Sequence, residues 1–166
     1  MGHAAGGLPR LRRLLADGRA AEALSLIDML LEEDQAWRRL NILLRSIPTD
    51  RLDEPTVTTD GWSPKDVMFH IGAWLAEAAR QLERIREGTY RPQEETVDEL
   101  NSAWFALSRT LDVPTARAEL ESARVIARDA LGALSTLTPD ARGWFEESAW
   151  LHYSKHVIDL ERWLGA

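Results

Sequence analysis

Residues 61–74 read GWSPKDVMFHIGAW and contain the most clearly marked helix start in the chain. Ser63 can accept hydrogen bonds from the free backbone N–H groups of a first helical turn, and Pro64 suits the first helical position. Asp66 follows Ser63 by three residues, so its carboxylate can bond back to the cap and favours the positive end of the helix dipole. These residues predict a helix that begins after Ser63 and ends before Gly88.

The rest of the chain also favours helices, because its glycines and prolines fall between long stretches of Ala, Leu, Glu and Arg. No segment needs a strand. Besides the helix after Ser63, we predict helices over residues 9–17, 20–47, 96–111 and 144–164, with a break at Val113 and Pro114 and a continuing helix to Leu137. The predicted inward stripes include Leu24, Leu31 and Leu44 of the 20–47 helix, and Val97, Trp104 and Leu107 of the 96–111 helix.

The fold class that follows is all-α: a four-helix bundle with an extra short N-terminal helical segment. We expect residues 20–166 to form the bundle and residues 1–19 to form a flexible N-terminus and the short extra helix. The composition is that of one globular domain, with 166 residues of which 45% are hydrophobic and 28% charged.

Three of the four histidines fall on the inward stripe of a predicted helix. His70 lies on the apolar face of the helix that follows Ser63. His152 and His156 share the apolar stripe of the last helix, and a spacing of four places their side chains on one face, about one turn apart. The fourth histidine, His3, stands in the N-terminal tail and is left outside this group.

Imidazoles that converge from two facing helices can bind one metal ion. Three neutral imidazoles leave coordination positions open for water or substrate, which is typical of a catalytic rather than a structural site. The alternative is that each histidine is a hydrogen-bonded core residue, and the pattern alone leaves both interpretations open. A thermolysin-like protease is not supported, because Tyr153 stands where the H-E-x-x-H motif requires glutamate.

The absence of cysteine narrows the possible chemistry. It excludes a cysteine nucleophile, an internal dithiol and a cysteine-ligated metal. Any sulfur nucleophile must therefore come from another molecule.

The charge and hydropathy patterns narrow the possible partners and location. The chain has 27 acidic and 20 basic side chains, a formal net charge of -7 that disfavours nucleic acid. No apolar run approaches the roughly 20 residues that span a bilayer, and the N-terminus lacks the apolar segment of a secretory signal. We therefore expect no membrane association and a cytoplasmic location.

Two segments of the chain resemble a known family. Residues 61–74 are similar to the signature G-W-S-x-x-D-V-x-x-H-[IL]-x-x-W of the DinB-like superfamily, and the last helix, with His152, His156 and Trp163, resembles its H-x-x-x-H helix. The resemblance extends over about residues 20–166. Within this superfamily, the chain resembles the branch that includes mycothiol-dependent maleylpyruvate isomerase.

The resemblance implies a four-helix bundle that holds a divalent metal, zinc or nickel, on His70, His152 and His156. It also implies a transferase or isomerase that uses a low-molecular-weight thiol of the mycothiol, bacillithiol or glutathione type on a small-molecule substrate, and a homodimer. Where the isomerase branch has a glutamate ligand in the last helix, this chain has histidine, which argues against the isomerase's own substrate.

The alternatives from other functional classes are a hydrolase that uses metal-bound hydroxide and a bundle that binds a small molecule or partner without catalysis. No catalytic residue is assigned. Asp159 could orient an imidazole or be a solvated charge at the edge of the stripe. Asp34 and Asn41 could line the pocket or lie at its margin, and Tyr153 points too far round the helix to be assigned as a proton donor.

Overall fold

The computed structural model of the protein describes residues 7–58, 60–92 and 94–165. Within these ranges the chain forms seven α-helices and no strand, which confirms the all-α prediction. The helices are α1 (Gly7–Ala16), α2 (Ala20–Ser46), α3 (Pro64–Glu87), α4 (Val97–Ser108), α5 (Val113–Ala133), α6 (Pro139–Ser148) and α7 (Trp150–Leu164), and a short 3-10 helix (Thr49–Arg51) precedes α3. Residues 1–6 of the predicted flexible N-terminus, with His3, lie outside the described residues. Among the described helices, none has the length and apolar character needed to cross a membrane.

The central helix of the bundle is α3. It packs along α5 and also contacts α4, α6 and α7, while α2 packs along α7. The inward stripe of α3 is largely apolar, and Val67, Ile71 and Leu82 are completely buried. Removing these side chains from water is the main force that holds the helices together. The same stripe carries His70 into the interior, where only 6% of the residue is exposed.

The predicted capping of α3 is confirmed. The Ser63 hydroxyl oxygen accepts a hydrogen bond from the Asp66 backbone N–H at 3.2 Å, and Asp66 Oδ2 accepts one from the Ser63 backbone N–H at 2.9 Å. The second oxygen of the buried Asp66 carboxylate accepts a hydrogen bond from the Ser108 hydroxyl at 2.7 Å. One carboxylate therefore caps α3 and fixes the end of α4 beside it. Gly88 ends α3 with a φ of 71°, in the left-handed region that favours glycine.

Gly72 lies where α3 approaches α5 most tightly. A Cβ atom at this position would lie 3.0 Å from the Leu120 Cα and 3.2 Å from the Leu120 backbone nitrogen. These are backbone atoms, which cannot rotate away as the end of a side chain can. Glycine therefore permits the close contact between the two helices.

Gly72→Ala is expected to lower the free energy of unfolding by about 1–3 kcal/mol, because the added methyl group forces α3 and α5 apart. The matched control is Gly143→Ala in α6, where a Cβ would meet nothing within 4 Å. There the higher helix propensity of alanine is expected to raise stability by roughly 0.5–1 kcal/mol. Urea denaturation measures both effects, and equal changes at the two sites would contradict the close helix contact.

The prediction of one last helix over residues 144–164 is wrong. The Thr138 hydroxyl accepts a hydrogen bond from the Ala141 backbone N–H at 3.2 Å, so α6 begins in the stretch 138–143, which lies between two predicted helices. The chain then leaves helical geometry at Ala149, with φ −104° and ψ −107°, before α7 begins. Gly143 lies inside α6 rather than in a connection. Alanine is a strong helix former, so no local sequence signal marks this break.

The predicted break near Pro114 is confirmed, although two separate helices result. The Asp112 carboxylate accepts a hydrogen bond from the Thr115 backbone N–H at 2.8 Å and so caps the start of α5. The helix ends at Ala133, short of the predicted Leu137. Asp112 thus starts a new helix, α5, that packs along α3, and α4 contacts α3 separately.

Two predicted inward stripes are partly wrong. In α2, Leu24 and Leu31 are 60% and 54% exposed, whereas Glu33 is completely buried. In α4, Val97 and Leu107 are 57% and 50% exposed. In α2, a buried ion-pair network around Glu33 takes part of the inward face that the apolar stripe was predicted to fill. In α4, the apolar residues stay exposed because this helix packs chiefly on α3 and does not enter the core.

The short N-terminal helix α1 packs against the sides of α2 and α5. Arg10 fixes it there, because its buried guanidinium donates to the Leu131 backbone oxygen at 2.7 Å and to Glu22 Oε1 at 3.1 Å. This helix therefore lies against the outside of the bundle.

Candidate metal centre

His70 of α3 meets His152 and His156 of α7 inside the bundle. Nε2 of His152 lies 2.9 Å from Nε2 of His70 and 3.0 Å from Nε2 of His156. Each ring contributes a nitrogen to a group whose atoms all lie within 4.8 Å of one another. The structure thus brings together the three histidines predicted as metal ligands.

Neighbouring side chains hold the two histidine-bearing helices in place. The fully buried Tyr153 of α7 donates its hydroxyl to Glu33 Oε1 of α2 at 3.2 Å, which fixes the rotation of α7 about its axis. His70 of α3 is held by Trp62, which precedes that helix. The two rings meet edge to face with centroids 4.5 Å apart, and Trp62 also stacks on Phe105 of α4 at 5.1 Å. The imidazoles are therefore positioned by the bundle before any ligand binds.

Burial lowers the pKa of all three imidazoles. The pKa of His70 falls from 6.5 to about 3, because of burial first and then the charges of His156 and Lys155. Burial lowers the pKa of His156 to about 4, although the Asp159 carboxylate opposes the shift. The pKa of His152 lies well below 6.5, again mainly because of burial. The three rings are neutral at pH 7, the state in which imidazole binds metals.

Nδ1 of each of the three rings is buried and has no well-formed hydrogen bond to the described part of the chain. Asp159 Oδ2 lies 3.4 Å from Nδ1 of His156, a separation at which the groups attract each other without an ideal hydrogen bond. The Nε2 atom of His152 faces the Nε2 atoms of the other two rings. A neutral ring carries only one N–H, so a hydrogen bond between two Nε2 atoms requires one ring to be protonated at Nε2 and the other at Nδ1. One cation would instead satisfy three Nε2 lone pairs at once.

The donor set fits a divalent ion. Two imidazole nitrogens at 2.0–2.1 Å from a tetrahedral zinc ion lie about 3.4 Å apart, and the separations of 2.9 and 3.0 Å come within a few tenths of an ångström of that value. Imidazole suits zinc and nickel alike. Three protein ligands on such an ion leave at least one position for another molecule.

Two cavities adjoin the histidines, and both have the volume of a small-molecule site. The first, the aromatic cavity, has a volume of about 520 Å³ and is lined by His70, His152, Trp74, Tyr90 and Trp144, among others. The second, the loop cavity, has a volume of about 590 Å³ and is lined by His70, His156, Trp62, Thr56 and Asp159, among others. A metal on the three rings would therefore adjoin both cavities.

The other candidate residues have different positions. Asp159 lines the loop cavity beside His156. Asp34 and Asn41 do not line either cavity, since Asp34 binds Arg124 at 3.0 Å and Asn41 accepts a hydrogen bond from Arg45 at 3.2 Å. Of the two alternatives that the sequence left open for Asp34 and Asn41, lining the pocket is therefore wrong.

Sequence analysis missed two residues that line both cavities, Asn101 of α4 and Lys155 of α7. A signal existed for Lys155, which directly precedes His156 and lies three residues after His152, one turn of the helix. No signal existed for Asn101, because the sequence does not show that α4 packs beside the histidines.

These features define a class: an all-helical bundle whose interior presents three neutral imidazoles able to hold a metal ion. The family model described as DinB superfamily matches residues 32–160, and the chain belongs to the DinB superfamily, whose members generally bind metals. The family resemblance seen in the sequence is thereby confirmed. Comparison with curated proteins gives no significant match, and neither does comparison with solved structures.

Proposed function

We propose that this protein is a divalent-metal enzyme that transfers or isomerises a small molecule with the help of a low-molecular-weight thiol. The observation that carries the proposal is the convergence of three neutral imidazoles, two of them buried and that of His152 half-buried, on one point. His70, His152 and His156 are the proposed ligands, and zinc or nickel the proposed ion. The cytoplasm, where small thiols are kept reduced, is the proposed location.

A bound divalent ion with an open position supplies one kind of chemistry, since it favours the thiolate form of a coordinated thiol. The residues of the chain position the components. The three histidines hold their lone pairs inward, and Asp159 attracts Nδ1 of His156. The aromatic cavity and the loop cavity give separate spaces for a thiol and for an electrophilic substrate. The chain has no cysteine, so the thiol would come from solution.

Purified untagged protein is expected to carry about one zinc or nickel ion per chain, and His156→Ala is expected to lose it. Elemental analysis after gel filtration measures the content directly. His3→Ala is the matched control, because His3 is the only other histidine in the chain. Absence of metal from the wild-type protein, with no change in melting temperature after chelation or zinc addition, would contradict the metal site.

The reaction class is tested with metal-loaded protein, with mycothiol, bacillithiol or glutathione each paired with a panel of electrophiles. Turnover that requires both the thiol and the metal supports the proposal. Turnover without thiol would instead indicate a hydrolase. Binding of the compounds without turnover of any pair would indicate a bundle that binds small molecules without catalysis.

A further inference from the structure

Three residues line both the aromatic cavity and the loop cavity: His70, Asn101 and Lys155. A molecule bound beside the histidines from either cavity therefore meets the same two non-histidine side chains. They come from different helices, Asn101 from α4 and Lys155 from α7. The hydrogen-bonding character of this pair determines which chemical group can be accepted there.

Asn101 is held in one orientation by Trp74. The indole Nε1–H of Trp74 donates to Asn101 Oδ1 at 3.1 Å. Because an indole nitrogen can only donate, the amide oxygen faces Trp74 and the NH₂ group is turned elsewhere. No described residue accepts a hydrogen bond from this NH₂ group. Asn101 is therefore a donor toward any molecule in the cavities that it lines.

Lys155 is one of two lysines in the chain, and the two have different surroundings. Lys65 is buried and pairs with Asp53 at 2.8 Å. Lys155 is exposed, and within the described residues it forms no ion pair. It lines both cavities together with the histidines, which places it beside the cluster. Its ammonium group is thus free to bind an acceptor.

The acidic residues near the site are divided between the cavities. Asp140 and Glu147 line the aromatic cavity alone, and Asp60 and Asp159 line the loop cavity alone. Asp159 lies 3.4 Å from His156 Nδ1 and pairs with Arg162 at 3.5 Å. The residues common to both cavities therefore present hydrogen-bond donors, a positive charge and no carboxylate.

We propose that Asn101 and Lys155 together bind a carboxylate group of the small-molecule substrate, beside the three histidines. The proposal rests on the proposed function only in placing a substrate in these cavities, and it does not require a bound metal. A carboxylate matches the pair because it accepts charge-assisted hydrogen bonds and donates none. The aromatic walls of the first cavity favour a planar, apolar body attached to that group.

Benzoate, benzamide and benzylamine test this proposal, since they share a ring and differ in the charge of the attached group. Calorimetric titration is made with metal-free protein and again with zinc-loaded protein. Benzoate is expected to bind the metal-free protein at least tenfold more tightly than benzamide. The reason is that the carboxylate of benzoate and the ammonium group of Lys155 carry opposite charges, whereas the amide of benzamide is neutral. Benzylamine is expected to bind more weakly than benzoate.

Two variants locate the binding group. Lys155→Met keeps the length of the side chain and removes the charge, and it is expected to weaken benzoate binding about tenfold while benzamide binding changes little. Asn101→Asp keeps the acceptor for Trp74 but replaces the NH₂ donor by a negative charge, and it is expected to weaken benzoate at least as much. Arg12→Gln on α1 is the control, because it removes an exposed cation from a helix that packs on α2 and α5.

Equal affinities for benzoate and benzamide would overturn the proposal, as would a preference for benzylamine or no binding of any probe. Unchanged benzoate binding in both variants would overturn it too. Binding of benzoate to the zinc-loaded protein alone would also overturn it, because the metal and not the Asn101–Lys155 pair would then hold the carboxylate. Circular dichroism melting curves show whether each variant is folded. Failure of the protein to bind zinc would contradict the proposed function and leave the metal-free titration as a valid test of the carboxylate site.

Discussion

Glu33→Ala is expected to lower the free energy of unfolding by about 3–5 kcal/mol, the cost of breaking a buried ion pair by removing one partner. Glu33 is completely buried, and its carboxylate binds two arginines of α5. Arg124 Nε donates to Oε1 at 2.6 Å, Arg124 also donates to Oε2 at 2.9 Å, and Arg128 donates to Oε2. Tyr153 of α7 is the third partner.

The alanine variant would leave the buried Tyr153 hydroxyl without the carboxylate that it binds. The half-buried Arg128 would keep only a contact of 3.5 Å to the Leu30 backbone oxygen, and Arg124 would keep Asp34. Unpaired buried polar groups cost more than the paired network contributes, so the effect exceeds that of an ordinary surface change. Because the network joins α2, α5 and α7, its loss would also allow α7, the helix that carries His152 and His156, to rotate about its axis.

The matched control is Glu32→Ala, at the exposed neighbouring position of the same helix. It is expected to change stability by less than about 0.5 kcal/mol. Glu33→Gln keeps the shape and part of the hydrogen bonding, and should fall between the two. Urea denaturation at pH 7 gives the three values, and similar losses for Glu32→Ala and Glu33→Ala would disprove a buried network.

Sequence periodicity predicted the parts of the fold that local signals govern. The start of α3 follows from Ser63, Pro64 and Asp66 because capping is a contact between residues three apart. The break at Ala149 is different, since nothing in its neighbours disfavours a helix and its cause is the packing of α6 and α7 on the rest of the bundle. Element type was thus predictable, and element boundaries set by tertiary contacts were not.

The burial of Glu33 shows a second limit. A glutamate on a helix is normally solvated, and the sequence pattern therefore favoured an apolar stripe that included Leu24 and Leu31. The partners of Glu33 are about 90 residues away in the chain, Arg124 and Arg128 on α5. Only the packed structure shows that these charges meet, because long-range pairing of arginine and glutamate leaves no periodic trace.

For the candidate site, helix faces predicted the three histidines but not their surroundings. Spacing of four on α7 and the inward stripe of α3 are local patterns that place the imidazoles. Asn101 could not be found in this way, because its position beside the histidines depends on the packing of α4 against α3, where Ser108 binds Asp66 and Trp104 meets Trp74. The positions of the three histidines are thus predicted by local patterns, whereas the side chains around them are brought there by tertiary packing.

The metal-free protein is expected to lose stability steeply between pH 7 and pH 4 because of the buried histidines. In the folded chain the pKa of His70 is about 3 and that of His156 about 4, against 6.5 for an ordinary histidine. Below pH 6.5 the unfolded chain therefore binds protons that the folded chain does not, so stability falls as the pH falls. The effect is absent above about pH 7 and continues to grow until the folded imidazoles are protonated.

At about 1.4 kcal/mol per pKa unit, each of these two imidazoles lowers the free energy of unfolding by about 3 kcal/mol at pH 4. Together they approach the whole stability of an ordinary domain.

The measurement is urea denaturation at a series of pH values with a chelator present. The control is the triple variant His70→Gln, His152→Gln and His156→Gln, which keeps every carboxylate and so removes only the imidazole contribution. Parallel stability curves for the two proteins would show that the imidazoles are protonated as easily in the folded chain as in the unfolded one. A wild-type curve that falls more steeply below pH 6.5 would show that the fold holds them neutral, the form in which they can bind a metal ion.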